Sequence, residues 1–117
     1  MSLLRGQSAE LQALAFLRSQ GLRKLASNYR VRCGEIDLIM REGETLVFIE
    51  VRMRTSQAYG GAAASITRSK QQKIIKSALY YLQQARLYDK HPIRFDVVTF
   101  DGEPPQINWI KHAFGSG

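Results

Sequence analysis

Three carboxylates in the middle of the chain stand where apolar residues are expected. Glu35 and Asp37 interrupt the run GEIDLIM, and Glu50 interrupts TLVFIEV. Both runs are strand-sized and rich in β-branched or large apolar residues. A turn built on Glu42-Gly43-Glu44 joins them into a hairpin. The strand period of two puts Glu35 and Asp37 on one face, and Glu50 on a face with Phe48 and Leu46. Loop length then decides which acids meet. A loop of Glu42 to Thr45 sets Asp37 directly opposite Glu50. A loop of Glu42 and Gly43 alone sets Glu35 there, with Asp37 on the diagonal. Either register gathers acids on one face, and a slip by one residue sends Glu50 to the other.

Carboxylates gathered on a partly apolar face repel one another and lose hydration unless a cation, a proton or a basic side chain compensates them. Two compensators are open. A divalent ion is one, and oxygen-only donors suit Mg²⁺ or Mn²⁺, ions that bind few carboxylates and keep water for a substrate. Structural salt bridges to Arg52 and Arg54 are the other. A fourth acid, Glu10, falls on or beside the buried stripe of the first helix. It reads either as a site residue or as a first-turn glutamate favoured by the helix dipole.

The elements that must position these acids follow from periodicity. From about Ser8 to Gln20, Leu11, Leu14, Ala15 and Leu17 recur at helical spacing, and Gly21 stands where a left-handed cap ends a helix. A short strand over Leu25 to Val31 precedes the hairpin. After Arg54 a small-residue loop leads to a helix from about Thr67 to Leu87, with the apolar stripe Ile74, Ile75, Ala78, Leu79 and Leu82 and a wet side carrying Lys70, Lys73 and Lys76. Strands over Ile93 to Phe100 and around Ile107 to Ile110 complete the order α-β-β-β-α-β-β. A long helix between two strands calls for a right-handed crossover, so the sheet is expected to be mixed and the class α/β.

Composition bounds the rest. A chain of 117 residues fits one domain, and 44% apolar against 23% charged residues excludes a disordered chain. No apolar run approaches the ~18 residues that cross a bilayer, and no signal-like segment opens the chain. Cys33, alone, makes neither an intramolecular disulfide nor a two-thiol zinc site, in keeping with a reducing, cytoplasmic setting. A formal charge of +7 favours polyanions, with nucleic acid the leading partner and no membrane.

GQSAE, GEIDLIM, VFIEVRMR, the loop Tyr59-Gly60-Gly61 before TRSKQQKI, and RFDVV together resemble the YraN-like family of bacterial proteins over nearly the whole chain. That family is similar to archaeal Holliday-junction resolvases and is assigned to the restriction-endonuclease-like fold. The resemblance implies a signature of Pro-Asp on one strand and Asp/Glu-x-Lys on the next. Asp37, then Glu50, Val51 and Arg52, match it, with Ile36 for the proline and Arg52 for the lysine. A lysine can orient or deprotonate an attacking water, whereas an arginine stays protonated and acts as a charge and hydrogen-bond clamp.

The activity so implied is phosphodiester hydrolysis in DNA. Asp37, Glu50 and the Val51 carbonyl hold Mg²⁺ or Mn²⁺, Arg52 stabilises developing charge, Glu10 reaches the site from the first helix, and Glu35 stands at its edge. Substrate grip falls to Arg54, Lys70, Lys73, Lys76 and the backbone of Tyr59, Gly60 and Gly61. Asp96 reads as structural and paired with Arg94, and Trp109 as packing. The resolvase likeness also leaves room for a homodimer, because a four-way junction offers two symmetry-related cleavage sites. The alternative implied by Arg52 is a nucleic-acid-binding module that has lost turnover.

Overall fold

The computed structural model describes residues 7–54 and 66–115, with Gln7 and Arg54 described by backbone alone. The elements run α1 (Gln7–Ser19), β1 (Arg23–Val31), β2 (Gly34–Glu42), β3 (Thr45–Arg54), α2 (Arg68–Gln84), β4 (Ile93–Asp101) and β5 (Gln106–Phe114). This is the expected order. The strands form one sheet in chain order, β1-β2-β3-β4-β5, in which only β3 and β4 pair parallel. The mixed α/β class therefore rests on the single crossover through α2.

The two helices cover opposite faces. Strand alternation sends Val47, Ile49, Val98 and Phe100 to α1, where Ala9, Ala13, Leu14 and Leu17 meet them. Leu46, Phe48, Phe95 and Val97 face α2 and its Ile74, Ala78 and Leu82. Both helical stripes differ from their expected composition. On α1, Leu11 is 66% exposed and Ala15 also faces solvent, while Ala9 and Ala13 are buried. Small side chains let α1 lie close on the sheet, so the buried face follows volume as well as hydrophobicity. On α2, Leu79 is exposed and Ser77 is fully buried, its hydroxyl donating to the Lys73 carbonyl.

Gly21 ends α1 with φ +98, a backbone conformation that a side chain resists, and Leu22 N–H closes back on the Leu17 carbonyl. Asp96 is fully buried on the α1 face and fully engaged. It accepts from Arg94 Nε through both oxygens, from Trp109 Nε1 and from the His112 backbone N–H. Those bonds hold an irregularity where β5 carries extra residues against β4 between the Phe95↔Phe114 and Val97↔Ile110 pairs. Trp109 also meets Phe16 of α1 edge to face, so its role is packing, as expected.

Close packing of α2 on β2 depends on Gly34. A Cβ there would lie 3.0 Å from Ser77 Oγ and 3.3 Å from Lys73 Cβ. Gly34→Ala is expected to cost about 1–3 kcal/mol by overpacking this contact, read as a lower urea midpoint. An unchanged midpoint would mean that α2 is free to shift.

Candidate functional site

The β2-β3 hairpin closes on the Glu42↔Thr45 pair and runs in register to Leu38↔Ile49. The next step in that register is Asp37 opposite Glu50, the first of the two arrangements expected, reached with a tighter turn. The regular ladder stops before this step. Instead, the Val51 N–H donates to Asp37 Oδ2 at 2.8 Å, so a side chain takes the place of a backbone carbonyl and the strands part.

Sheet alternation breaks at the same level. Ile36 and Ile39 both pack with the α2 cluster, and so do Ala26 and Tyr29 on β1. Regular strands would place only every second residue there. Between those β1 residues stands Asn28, across from Asp37, with φ +51, a conformation that asparagine tolerates better than most side chains. The break falls at Asp37, between Ile36 on the α2 face and Leu38 on the α1 face, and the Glu10 carboxyl of α1 feels both Asp37 and Glu35. Glu35 is exposed and adds a weak repulsive field at Glu10, which makes it a rim residue.

The parted strands open a gap that both helices reach. From α1, Glu10 comes close to Asp37 and Asn28. From the α2 side, Lys70 Nζ lies 3.0 Å from Glu50 Oε2, and Arg52 Nη2 lies 3.7 Å from the same oxygen. The Glu50 side chain is only 6% exposed. Burial, then repulsion from Asp37, raises the Glu50 carboxyl to about 7 against the partial relief given by Lys70. Glu10 is likewise raised to about 7, by burial first and then by Asp37.

Charge and spacing in the sequence put Lys70 on the wet side of α2 with Lys73 and Lys76. Those two are exposed, whereas Lys70 is half-buried and turned toward Glu50. It is the third residue of a helix whose cap, Thr67, accepts the Lys70 N–H at 3.1 Å. The first turn carries Arg68 and Lys70 and no acid. That charge pattern opposes the usual preference for acids at a helix N-terminus, and it concentrates positive potential beside the acids. Arg52 Nε is buried and finds no partner among the described residues. Farther along the same sheet face, Asp101 is buried and accepts from the Thr99 hydroxyl and Asn108 Nδ2.

The family model of an uncharacterised protein family, UPF0102, matches residues 9–100. The chain belongs to that family. It is 52% identical over 113 residues to a UPF0102 protein of Legionella pneumophila strain Corby, covering 97% of this chain and 96% of the relative. A UPF0102 protein of Alkalilimnicola ehrlichii is 55% identical over 109 residues, 93% and 85% of the two chains. Among solved structures, a repair endonuclease from Pyrococcus abyssi aligns with TM-score 0.43 and 13% identity, over 86% of this chain and 41% of that one.

Of the residues singled out in this UPF0102 sequence, Asp37, Glu50, Val51, Arg52, Glu10 and Lys70 come together, joined by Asn28, while Glu35 stands at the rim and Lys73 and Lys76 lie on the exposed side of α2. Tyr59, Gly60 and Gly61 lie outside the described residues, as does the Arg54 side chain. No described helix is long and apolar enough to cross a membrane. Among the described residues no three His, Cys, Asp or Glu side chains converge on one point. The donor set fits a hard ion all the same. Asp37 and Glu50 provide two carboxylates, and in an extended strand the Val51 carbonyl leaves the same edge as the N–H that Asp37 holds.

Glu10 and Glu50 bind protons more tightly in the folded chain than at the ordinary carboxyl value of 4.5. Their contribution to stability is therefore expected to fall as pH rises from about 4.5 to about 7 and to level off above that. Urea unfolding of wild type and Glu50→Gln across this range should give a difference that declines with pH. A difference independent of pH would contradict it.

Proposed function

We infer that this protein is a divalent-metal-dependent nuclease acting on DNA by phosphodiester hydrolysis. The observation that carries this reading is the pair Asp37 and Glu50, held in mutual repulsion at a gap in the sheet that Val51 also borders. A buried acid whose charge is this costly is explained by a bound cation better than by packing. Asp37, Glu50 and the Val51 carbonyl would hold Mg²⁺ or Mn²⁺, which when bound would polarise a water and neutralise charge on the scissile phosphate.

The chain's own residues divide the remaining work. Asp37 is oriented by the Val51 N–H, which keeps its carboxylate turned to the gap. Glu10 lies beside it from α1. Arg52, whose Nε has no partner among the described residues, holds an anionic oxygen of the phosphate as charge develops. Lys73, Lys76 and Arg68, exposed on α2, supply phosphate contacts that bind by charge and backbone geometry rather than base sequence. Structure-selective cleavage, as in junction resolvases, is the form of the activity proposed. The second reading, a binding module without turnover, is favoured by one observation: Arg52 occupies the strand position of the signature lysine, and it cannot act as a base.

A panel of labelled four-way, flap, gapped and linear DNAs incubated with Mn²⁺ tests both. The nuclease reading expects cleavage by wild type and a loss of roughly 100-fold or more in Asp37→Ala and Glu50→Ala, at least what an outer-shell defect costs. Binding by all three proteins without cleavage by any leaves the binding module. Affinity should fall roughly 10³-fold between about 50 and 200 mM salt if about six phosphates are contacted. No affinity even at low salt removes both readings.

A further inference from the structure

Lys70 is not needed to explain the fold, and its position is unfavourable on local grounds. A cation in the first turn opposes the helix dipole, and the cap that Thr67 forms would serve as well with a neutral or acidic residue at position 70. Its ammonium nevertheless makes the shortest ionic contact of the site, 3.0 Å to Glu50 Oε2, while 42% of its side chain remains exposed. It is thus both engaged with the acid and open to solvent.

Arg52 meets the same oxygen at 3.7 Å, but its guanidinium is planar, is borne on a central strand and is less exposed, at 28%. Lysine carries a compact charge on a flexible stem with three donors, which can change partners without moving the backbone. Only one of the two cations can readily leave Glu50, and it is Lys70.

We propose that Lys70 is the resident counter-ion of Glu50, displaced from it by the divalent ion and transferred to an anionic oxygen of the bound phosphodiester. It is a positioning residue, acting through Glu50 until substrate is present. It supplies from α2 the mobile ammonium that Arg52 does not supply from β3. The proposal rests on the nuclease reading above.

Its distinguishing consequence is a pair of effects with opposite signs. Calorimetric titration with Mn²⁺ alone, at a pH near 8, is expected to show Lys70→Gln binding the ion roughly tenfold tighter than wild type, the scale on which one neighbouring charge alters a carboxylate's preference for a cation. Lys70→Arg, which keeps the charge, should stay closer to wild type. The same Lys70→Gln protein should cleave the preferred DNA at least roughly tenfold more slowly at saturating Mn²⁺. A merely structural role would weaken both properties together, and thermal unfolding of each variant reports whether the fold is intact. Wild type that binds Mn²⁺ and cleaves, with Lys70→Gln matching it in affinity or binding more weakly, overturns the proposal and leaves the nuclease reading standing. Failure of Mn²⁺ to bind either protein overturns both.

Discussion

One hydrogen bond organises the site: Val51 N–H to Asp37 Oδ2. In an uninterrupted ladder that N–H would meet a backbone carbonyl of β2, and the sheet would be sealed at this level. A side-chain acceptor satisfies that donor while letting the strands separate, so the Val51 N–H is not orphaned and the Val51 carbonyl on the same edge is left for another partner. The convergence of the two helices depends on that separation. Helices that cover opposite faces of a sheet ordinarily cannot touch the same residue, yet Glu10 of α1 and Lys70 of α2 both reach the Asp37 and Glu50 neighbourhood. The left-handed turn of the chain at Asn28 belongs to the same device, because it allows β1 to follow β2 through the break in alternation.

Comparison of the buried acids sharpens what is unusual here. Asp96 lies deeper than Glu50, but arginine, indole and backbone donors meet both of its oxygens. Asp101 is held by a hydroxyl and an amide. Those carboxylates are structural parts whose desolvation is offset by the groups around them. Glu50 has two cations at one oxygen and a second acid close by, and burial with that acid outweighs the relief. A fold that maximised stability would replace Glu50 with an apolar residue to continue the row of Leu46 and Phe48. Its presence in such a place points to function.

Much of this is legible in the chain. Helical and strand periods, Gly21 and the hairpin turn are enough for the element order and for two candidate registers, one of which sets Asp37 opposite Glu50. What escapes are departures from periodicity. A period of two assumes regular strands, so the kink at Asn28 and the altered facing of Asp37 cannot be counted out, although an asparagine in mid-strand is itself a weak signal. Hydrophobicity assigns Leu11 and Ala15 to the buried stripe, whereas Ala9 and Ala13 have the volume that close packing requires. Charge groups Lys70 with Lys73 and Lys76, yet residues spaced three apart drift around a helix, and only the first falls over the gap. The sign of its charge in a capped first turn is the available clue.

The strand-borne arginine and the helix-borne lysine then make sense as a division of properties. A position on β3 between Glu50 and the neighbouring strand Thr99 is packed and directional, which suits a planar guanidinium with fixed donors. The first turn of α2 is at the surface, where a long stem can exchange one anion for another. A single strand lysine would have to combine fixed placement with a labile charge. Separating them places a permanent cation beside the acids and an exchangeable one at the entrance, and it makes the N-terminus of α2, rather than the third position of the strand signature, the natural place to look for variation in how members of this family treat their ligands.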